Sequence, residues 1–151
     1  MSELKRILLA EDNARDVELT LAALEDNHLA NEVVVGRDGE QALQYLRREG
    51  SYKDRPDGNP AVILLDLKMP KVDGLQVLRE IKANEPLKVI PVVMLTSSRE
   101  EKDLVTSYNL CVNAYVVKPV NFAEFAGAVK NLGVFWALLN EPPPGSVKKK
   151  T

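Results

Sequence analysis

The sequence predicts an α/β protein of (βα)5 form, an open parallel five-stranded sheet with helices on both faces. Two observations carry this. Five short apolar runs recur along the chain: "RILLA" (6–10), "EVVVG" (32–36), "AVILL" (61–65), "VIPVVML" (89–95) and "AYVV" (114–117). They are rich in Val, Ile and Leu with little polar alternation, the pattern of strands covered on both faces. Each run is then followed by a helix-start signal, a capping side chain with an acid or amide three residues on. The pairs are Asn13 with Asp16, Asp38 with Gln41, Asp73 with Gln76, Ser98 with Glu101, and Asn121 with Glu124. Such pairs satisfy backbone N–H groups that the first helical turn leaves without partners. One match alone would say little; five in step with five strands are strong.

The elements follow in order. After the first strand, Val17, Leu21 and Leu24 form the apolar stripe of a helix, and after the second, Ala42, Leu43 and Leu46 form another. "EGSYKDRPDGNP" (49–60) reads as a polar, solvated connection. The third strand leads to a helix striped by Leu75, Leu78 and Ile81, and the fourth to one striped by Leu104, Val105 and Tyr108. In the last helix Phe122, Phe125, Val129, Leu132, Trp136 and Leu139 recur at spacings of three and four, and past Gly133 "VFWALL" is apolar all round. A terminal surface helix should keep a polar face, so this surface is expected to meet another chain. Residues 4–140 are expected to form one domain with an extended last helix. The tail "EPPPGSVKKKT" (141–151) is expected to be disordered, with no output domain.

Composition narrows the functional classes. At 45% hydrophobic and 28% charged, the 151 residues have the make-up of a soluble globular domain. A net charge of -2 gives no reason to expect nucleic acid or an anionic membrane as partner. No apolar stretch is long enough for a signal peptide or a bilayer span, which points to the cytoplasm. The single cysteine, Cys111, excludes an internal disulfide and a cysteine-based zinc cluster, and is expected to be a buried structural thiol.

In open parallel sheets, binding sites form beyond the carboxyl ends of the strands. Glu11 and Asp12 follow the first run, Asp66 the third, Thr96 the fourth, and Lys118 ends the fifth. Each alone has a bland reading: a cap, a turn residue, a solvated charge. Together they put three carboxylates, a hydroxyl and an ammonium at one edge. Carboxylates that close resist full ionisation without a cation, and a donor set lacking histidine and thiolate suits Mg2+ rather than zinc or copper. Lys118 suits a phosphoryl oxygen, Thr96 can hydrogen-bond the same group, and a carboxylate can act as nucleophile to form an acyl phosphate.

The blocks "ILLAEDN", "VILLDLKMPKVDG", "PVVMLTSS" and "AYVVKP" resemble the signatures of response-regulator receiver domains of two-component signalling, over roughly residues 4 to 132. The resemblance implies a flavodoxin-like receiver fold with Asp66 as phosphoryl acceptor from a partner histidine kinase. It further implies that Glu11 and Asp12 hold Mg2+ with Asp66 and the backbone carbonyl of Lys68. Thr96 and Lys118 would contact the phosphoryl oxygens, Tyr115 would be the aromatic switch, and Lys118–Pro119 would be cis. Glu11 stands where the family often has Asp, and Lys68 and Ser98 occupy positions that tune acyl-phosphate lifetime. Such a protein is no enzyme beyond its own phosphorylation and dephosphorylation.

"LKVIPVVMLTSS", "SYNLCVNAYVVKPVNF" and the Phe-Trp pair before "LLNEPPP" are similar to small stand-alone regulators paired with bacterial and cyanobacterial phytochromes. The implied partners are a phytochrome-type sensor kinase, a downstream protein, and a second copy meeting Tyr115, Phe135, Trp136 and Leu139. Two alternatives stand beside this. One is a non-phosphorylated interaction scaffold on the same fold. The other is a Mg2+-dependent hydrolase with an Asp nucleophile, which would want a second Asp where Lys68 stands.

Overall fold

Strands apolar on both sides need cover on both sides, and the chain supplies it by alternating strand and helix. The computed structural model describes residues 6–25, 32–55, 58–69, 71–97, 112 and 114–131. Strands β1 (Arg6–Ala10), β2 (Glu32–Gly36), β3 (Val62–Asp66), β4 (Val92–Thr96) and β5 (Ala114–Val117) pair in parallel, in the order β2-β1-β3-β4-β5. The helices are α1 (Ala14–Glu25), α2 (Gly39–Arg47), α3 (Gly74–Ala83) and, after β5, α4 (Phe122–Asn131). The helix expected after Ser98 lies outside the described residues, as do Cys111, Phe135, Trp136, Leu139 and the 141–151 tail. The order reverses at β1, which has β2 on one side and β3 on the other. That switch point places the ends of β1 and β3 side by side.

The pleat divides the core in two. Leu8, Ala10, Ile63, Leu65 and Met94 pack with Ala42, Leu46, Val77, Leu78 and Ile81 of α2 and α3. Ile7, Leu9, Leu64, Leu95 and Val116 pack on the other face with Val17 and Leu24 of α1 and Phe125 of α4. Four of the five expected caps form, and the fifth, at Ser98, lies outside the described residues. Asn13 Oδ1 accepts from the Asp16 N–H at 2.9 Å, and Asp38 Oδ1 from Gln41 at 2.8 Å. Asp73 Oδ1 accepts from Gln76 at 2.9 Å, and Asn121 Oδ1 from Glu124 at 2.8 Å. Among the described residues no helix is long and apolar enough to cross a membrane.

Two segments differ from expectation. The fourth strand begins at Val92, not at residue 89: Leu87 to Ile90 are taken up in turns from Asn84, and Val89 is 73% exposed. Pro91 has no N–H for the ladder, so it contributes only its carbonyl, to the Ile63 N–H at 2.9 Å. The 49–60 connection is also more than a solvated link. It opens with a 3-10 turn at Gly50–Tyr52, and Arg55 folds back on α2. The Arg55 guanidinium lies 4.3 Å from the centre of the Tyr45 ring and donates to the Tyr45 carbonyl at 2.6 Å and the Gly58 carbonyl at 2.9 Å. A cation at a helix C-terminus satisfies carbonyls that have no intrahelical partner.

The loop after β3 is drawn tight by the Gly74 N–H, which donates to the Leu67 carbonyl at 2.8 Å. A Cβ on Gly74 would overlap the Asp66 carbonyl oxygen and come within 2.8 Å of Leu67 Cα, whereas one on Gly127 of α4 would meet nothing within 4 Å. We therefore expect Gly74→Ala to lower stability by about 1–3 kcal/mol through overpacking. Gly127→Ala should gain up to about 1 kcal/mol from helix propensity. Urea-denaturation midpoints of the two variants check this; equal midpoints would contradict the packing described for Gly74.

Candidate functional site

Each acid of the pocket arrives on a strand end. Glu11 continues β1 by one more ladder bond, its N–H donating to the Gly36 carbonyl at 3.0 Å, and it is fully buried. The turn into α1 folds back on it, so that the Asn13 N–H donates to Glu11 Oε2 at 3.3 Å. Asp12 beside it is exposed. Asp66 is the last residue of β3 itself, 3% exposed, rather than the first residue beyond the strand. One carboxylate oxygen from each of Glu11, Asp12 and Asp66 lies within 4.8 Å of the others.

Lys118 enters from β5. Its N–H donates to the Thr96 carbonyl at 2.8 Å, and its bond to Pro119 is cis. The ammonium Nζ stands 3.1 Å from Asp66 Oδ1, 3.2 Å from Glu11 Oε1 and 3.1 Å from Asp16 Oδ2. Thr96, at the end of β4, is fully buried, and its Oγ1 has no hydrogen-bond partner among the described residues. A buried hydroxyl without a partner costs about 1–3 kcal/mol and calls for an explanation, which a ligand oxygen would supply. Tyr115 is half-buried in β5, opposite Met94 in register and against the α2–α3 core. Lys68 is exposed in the loop two residues past Asp66.

The electrostatics follow from crowding and burial. Glu11 is pushed up to about 7, first by burial and then by the hydrogen bond and charge of Asp66, with Lys118 opposing. Burial raises Asp66 as well, while its hydrogen bond with Glu11 and the Lys118 charge hold it back. Burial alone would lower Lys118, but the Asp66 charge and the Asp16 hydrogen bond outweigh it and leave the ammonium more firmly protonated. Without a metal, then, the Glu11–Asp66 pair keeps a proton near neutrality. A hard divalent cation suits the same position. The donors are all oxygen, their charge exceeds what one lysine balances, and the most exposed of them, Asp12, faces water.

The structure brings together Glu11, Asp12, Asp66 and Lys118, with Thr96 and Tyr115 on the neighbouring strands. One member escaped sequence reasoning. Asp16 showed itself only as the third residue of a cap, yet its carboxylate meets an ammonium 102 residues away. The available signal was its place in the first turn of a helix that starts at the carboxyl edge.

Known proteins share this fold and much of this sequence. The profile of the response regulator receiver domain matches residues 7–130. The chain is 42% identical to response regulator Rcp1 of Synechocystis sp. over 132 residues, 87% of this chain and 88% of that protein. The crystal structure of the Mn2+-bound form of Rcp1 superposes with a TM-score of 0.70 at 38% identity, over 96% of this chain and 99% of that one. The bacteriophytochrome response regulator AtBRR is 67% identical with a TM-score of 0.88, over 93% of this chain and all (100%) of that one. The phosphorylated cyanobacterial phytochrome response regulator RcpA gives 44% identity and a TM-score of 0.72, covering 89% and 95%. Because the profile spans most of the chain and these relatives are covered almost end to end, the chain belongs to the response-regulator receiver family.

Proposed function

We propose that Asp66 takes a phosphoryl group from a phosphohistidine of a sensor kinase of the phytochrome type, in the cytoplasm. The observation that carries this is a buried carboxylate 3.1 Å from the Lys118 ammonium, with a buried Thr96 hydroxyl that has no partner among the described residues at the end of the neighbouring strand. Asp66 attacks phosphorus as the donor's P–N bond breaks, its electron pair leaving with the imidazole. Lys118, released from Asp66 by the loss of that carboxylate charge, pairs with the phosphoryl oxygens. Thr96 Oγ1 donates its proton to one of them, which satisfies the buried hydroxyl. Its shift toward the phosphoryl group opens the space that the Tyr115 ring then takes, the change a downstream protein reads.

Mg2+, when bound, would neutralise charge on the transferring group, and Glu11, Asp12, Asp66 and the Lys68 backbone carbonyl would hold it. The only chemistry the protein performs is on itself, forming and later hydrolysing the acyl phosphate, with Lys68 and Ser98 governing its lifetime. The apolar "VFWALL" segment supports a homodimer through Phe135, Trp136 and Leu139, with Tyr115 contributing; residues 4–140 would act as one domain carrying this face.

Incubated with Mg2+ and a small acyl phosphate, the protein should gain one phosphoryl adduct by intact mass. Asp66→Asn should gain none, and an adduct persisting in that variant would refute the acceptor assignment. Trp136→Ala should shift the light-scattering mass from dimer to monomer; an unchanged monomer mass in parent and variant removes the dimer.

Metal ligation also has a pH signature. Glu11 titrates near 7 in the folded protein against an ordinary 4.5, so its contribution to metal-free stability is full below 4.5 and lost as pH rises through about 7. Mg2+ takes the ionised carboxylate, so its stabilising effect should grow across the same window. In thermal scans, the Mg2+-induced rise in Tm should be larger at about pH 8 than at about pH 5.5, and Glu11→Gln should flatten the metal-free trend. Equal shifts at both pH values would remove Glu11 from the metal site.

A further inference from the structure

We propose that Asp16 is a positioning residue for Lys118, an anchor that keeps the ammonium at the pocket while its other two partners change hands. The proposal rests on the phosphoacceptor reading of Asp66. A lysine ammonium has three N–H donors, and here three carboxylates surround it: Asp66, Glu11 and Asp16, at 3.1, 3.2 and 3.1 Å, of which Glu11 and Asp16 accept hydrogen bonds. Two of the three are committed elsewhere during transfer. Asp66 and Glu11 belong to the acid cluster, whereas Asp16 stands outside it. As the Asp66 oxygen forms its bond to phosphorus and the donor's bond to phosphorus breaks, the electron pair leaving with the donor group, Asp66 ceases to offer Lys118 a full negative charge. Only Asp16 is then unchanged.

Asp16 is built to stay in place. Its own N–H is held by Asn13 Oδ1 at 2.9 Å, and the Asn13 N–H is in turn held by Glu11 Oε2 at 3.3 Å. The anchor is therefore one rigid turn away from the pocket wall, on the first turn of α1. Its side chain is 30% exposed, against 5% for Asp66 and none (0%) for Glu11. Asp16 thus holds the cation from the rim, without adding a further charge to the buried cluster. Lysine is a flexible four-carbon stem carrying a point charge, so an ammonium already held at the pocket reaches the phosphoryl oxygens by a short swing rather than a search.

The tether is read first in the metal-free protein. With lysine labelled at 15Nζ, the slowly exchanging ammonium signal of Lys118, assigned by its loss in Lys118→Ala, should be present in the parent and absent in Asp16→Ala. It should return in Asp16→Glu. A signal that survives in Asp16→Ala overturns the anchor.

The second readout is a double-mutant cycle on adduct formation from a small acyl phosphate with Mg2+, followed by intact mass. Asp16→Ala should slow the parent about three- to tenfold and should change the Lys118→Ala background by less than about twofold. Equal slowing in both backgrounds would mean that Asp16 acts through overall charge or folding, and overturns the proposal. No adduct on the parent itself would overturn it through its premise, and the intact ammonium signal would distinguish that failure from loss of the tether.

Discussion

Three carboxylates held within 4.8 Å at the edge of a parallel sheet, two of them buried, set the terms for everything around them. Their crowding is imposed by topology. The strand order reverses at β1, so the ends of β1 and β3 must lie side by side and bring Glu11 and Asp66 together. Removing that charge density from water is costly unless cations or protons answer it. The protein answers with a retained proton on the Glu11–Asp66 pair, with the Lys118 ammonium, and with a place for a divalent ion. The remaining features of the pocket serve these three. β5 lies next to β4 and the Thr96 carbonyl takes the Lys118 N–H, which brings the lysine to the same edge.

The parts of this architecture written as local pattern could be read from the chain alone. The caps at Asn13, Asp38, Asp73 and Asn121 form because a side chain and a backbone N–H three residues apart find each other whatever surrounds them. The strands were legible because burial on both faces leaves continuous apolar runs. The start of β4 was misread because Val89 and Ile90 extend such a run, while the missing N–H of Pro91 and the turns from Asn84 decide where pairing begins. The 49–60 segment looked merely polar, since nothing local says that Arg55 will find the carbonyl of Tyr45.

The site shows the same division. Asp66, Asp12, Glu11, Thr96 and Lys118 were visible because strand ends are visible, and the family blocks gave them roles. Asp16 was not, since its contact with Lys118 depends on how α1 docks on β5 across 102 residues of sequence. Nor could the chain alone reveal that Glu11 is fully buried and holds a proton near neutrality, because desolvation belongs to the assembled core. The unpartnered Thr96 hydroxyl is of this kind too: only the folded pocket shows that a polar atom has been left waiting.

The split core has a consequence for traffic through the molecule. Alternation sends Leu64 and Val116 toward the α1–α4 layer, and Met94 toward the α2–α3 layer. By the same two-residue period Asp66 and Lys118 belong with the first layer, while Thr96 belongs with the second, where Tyr115 already packs. Asp66 and Lys118 thus belong with one layer, and Thr96 and Tyr115 with the other. A change of charge at the Asp66 carboxylate and a change of packing at the Tyr115 ring would therefore show on opposite surfaces of one sheet.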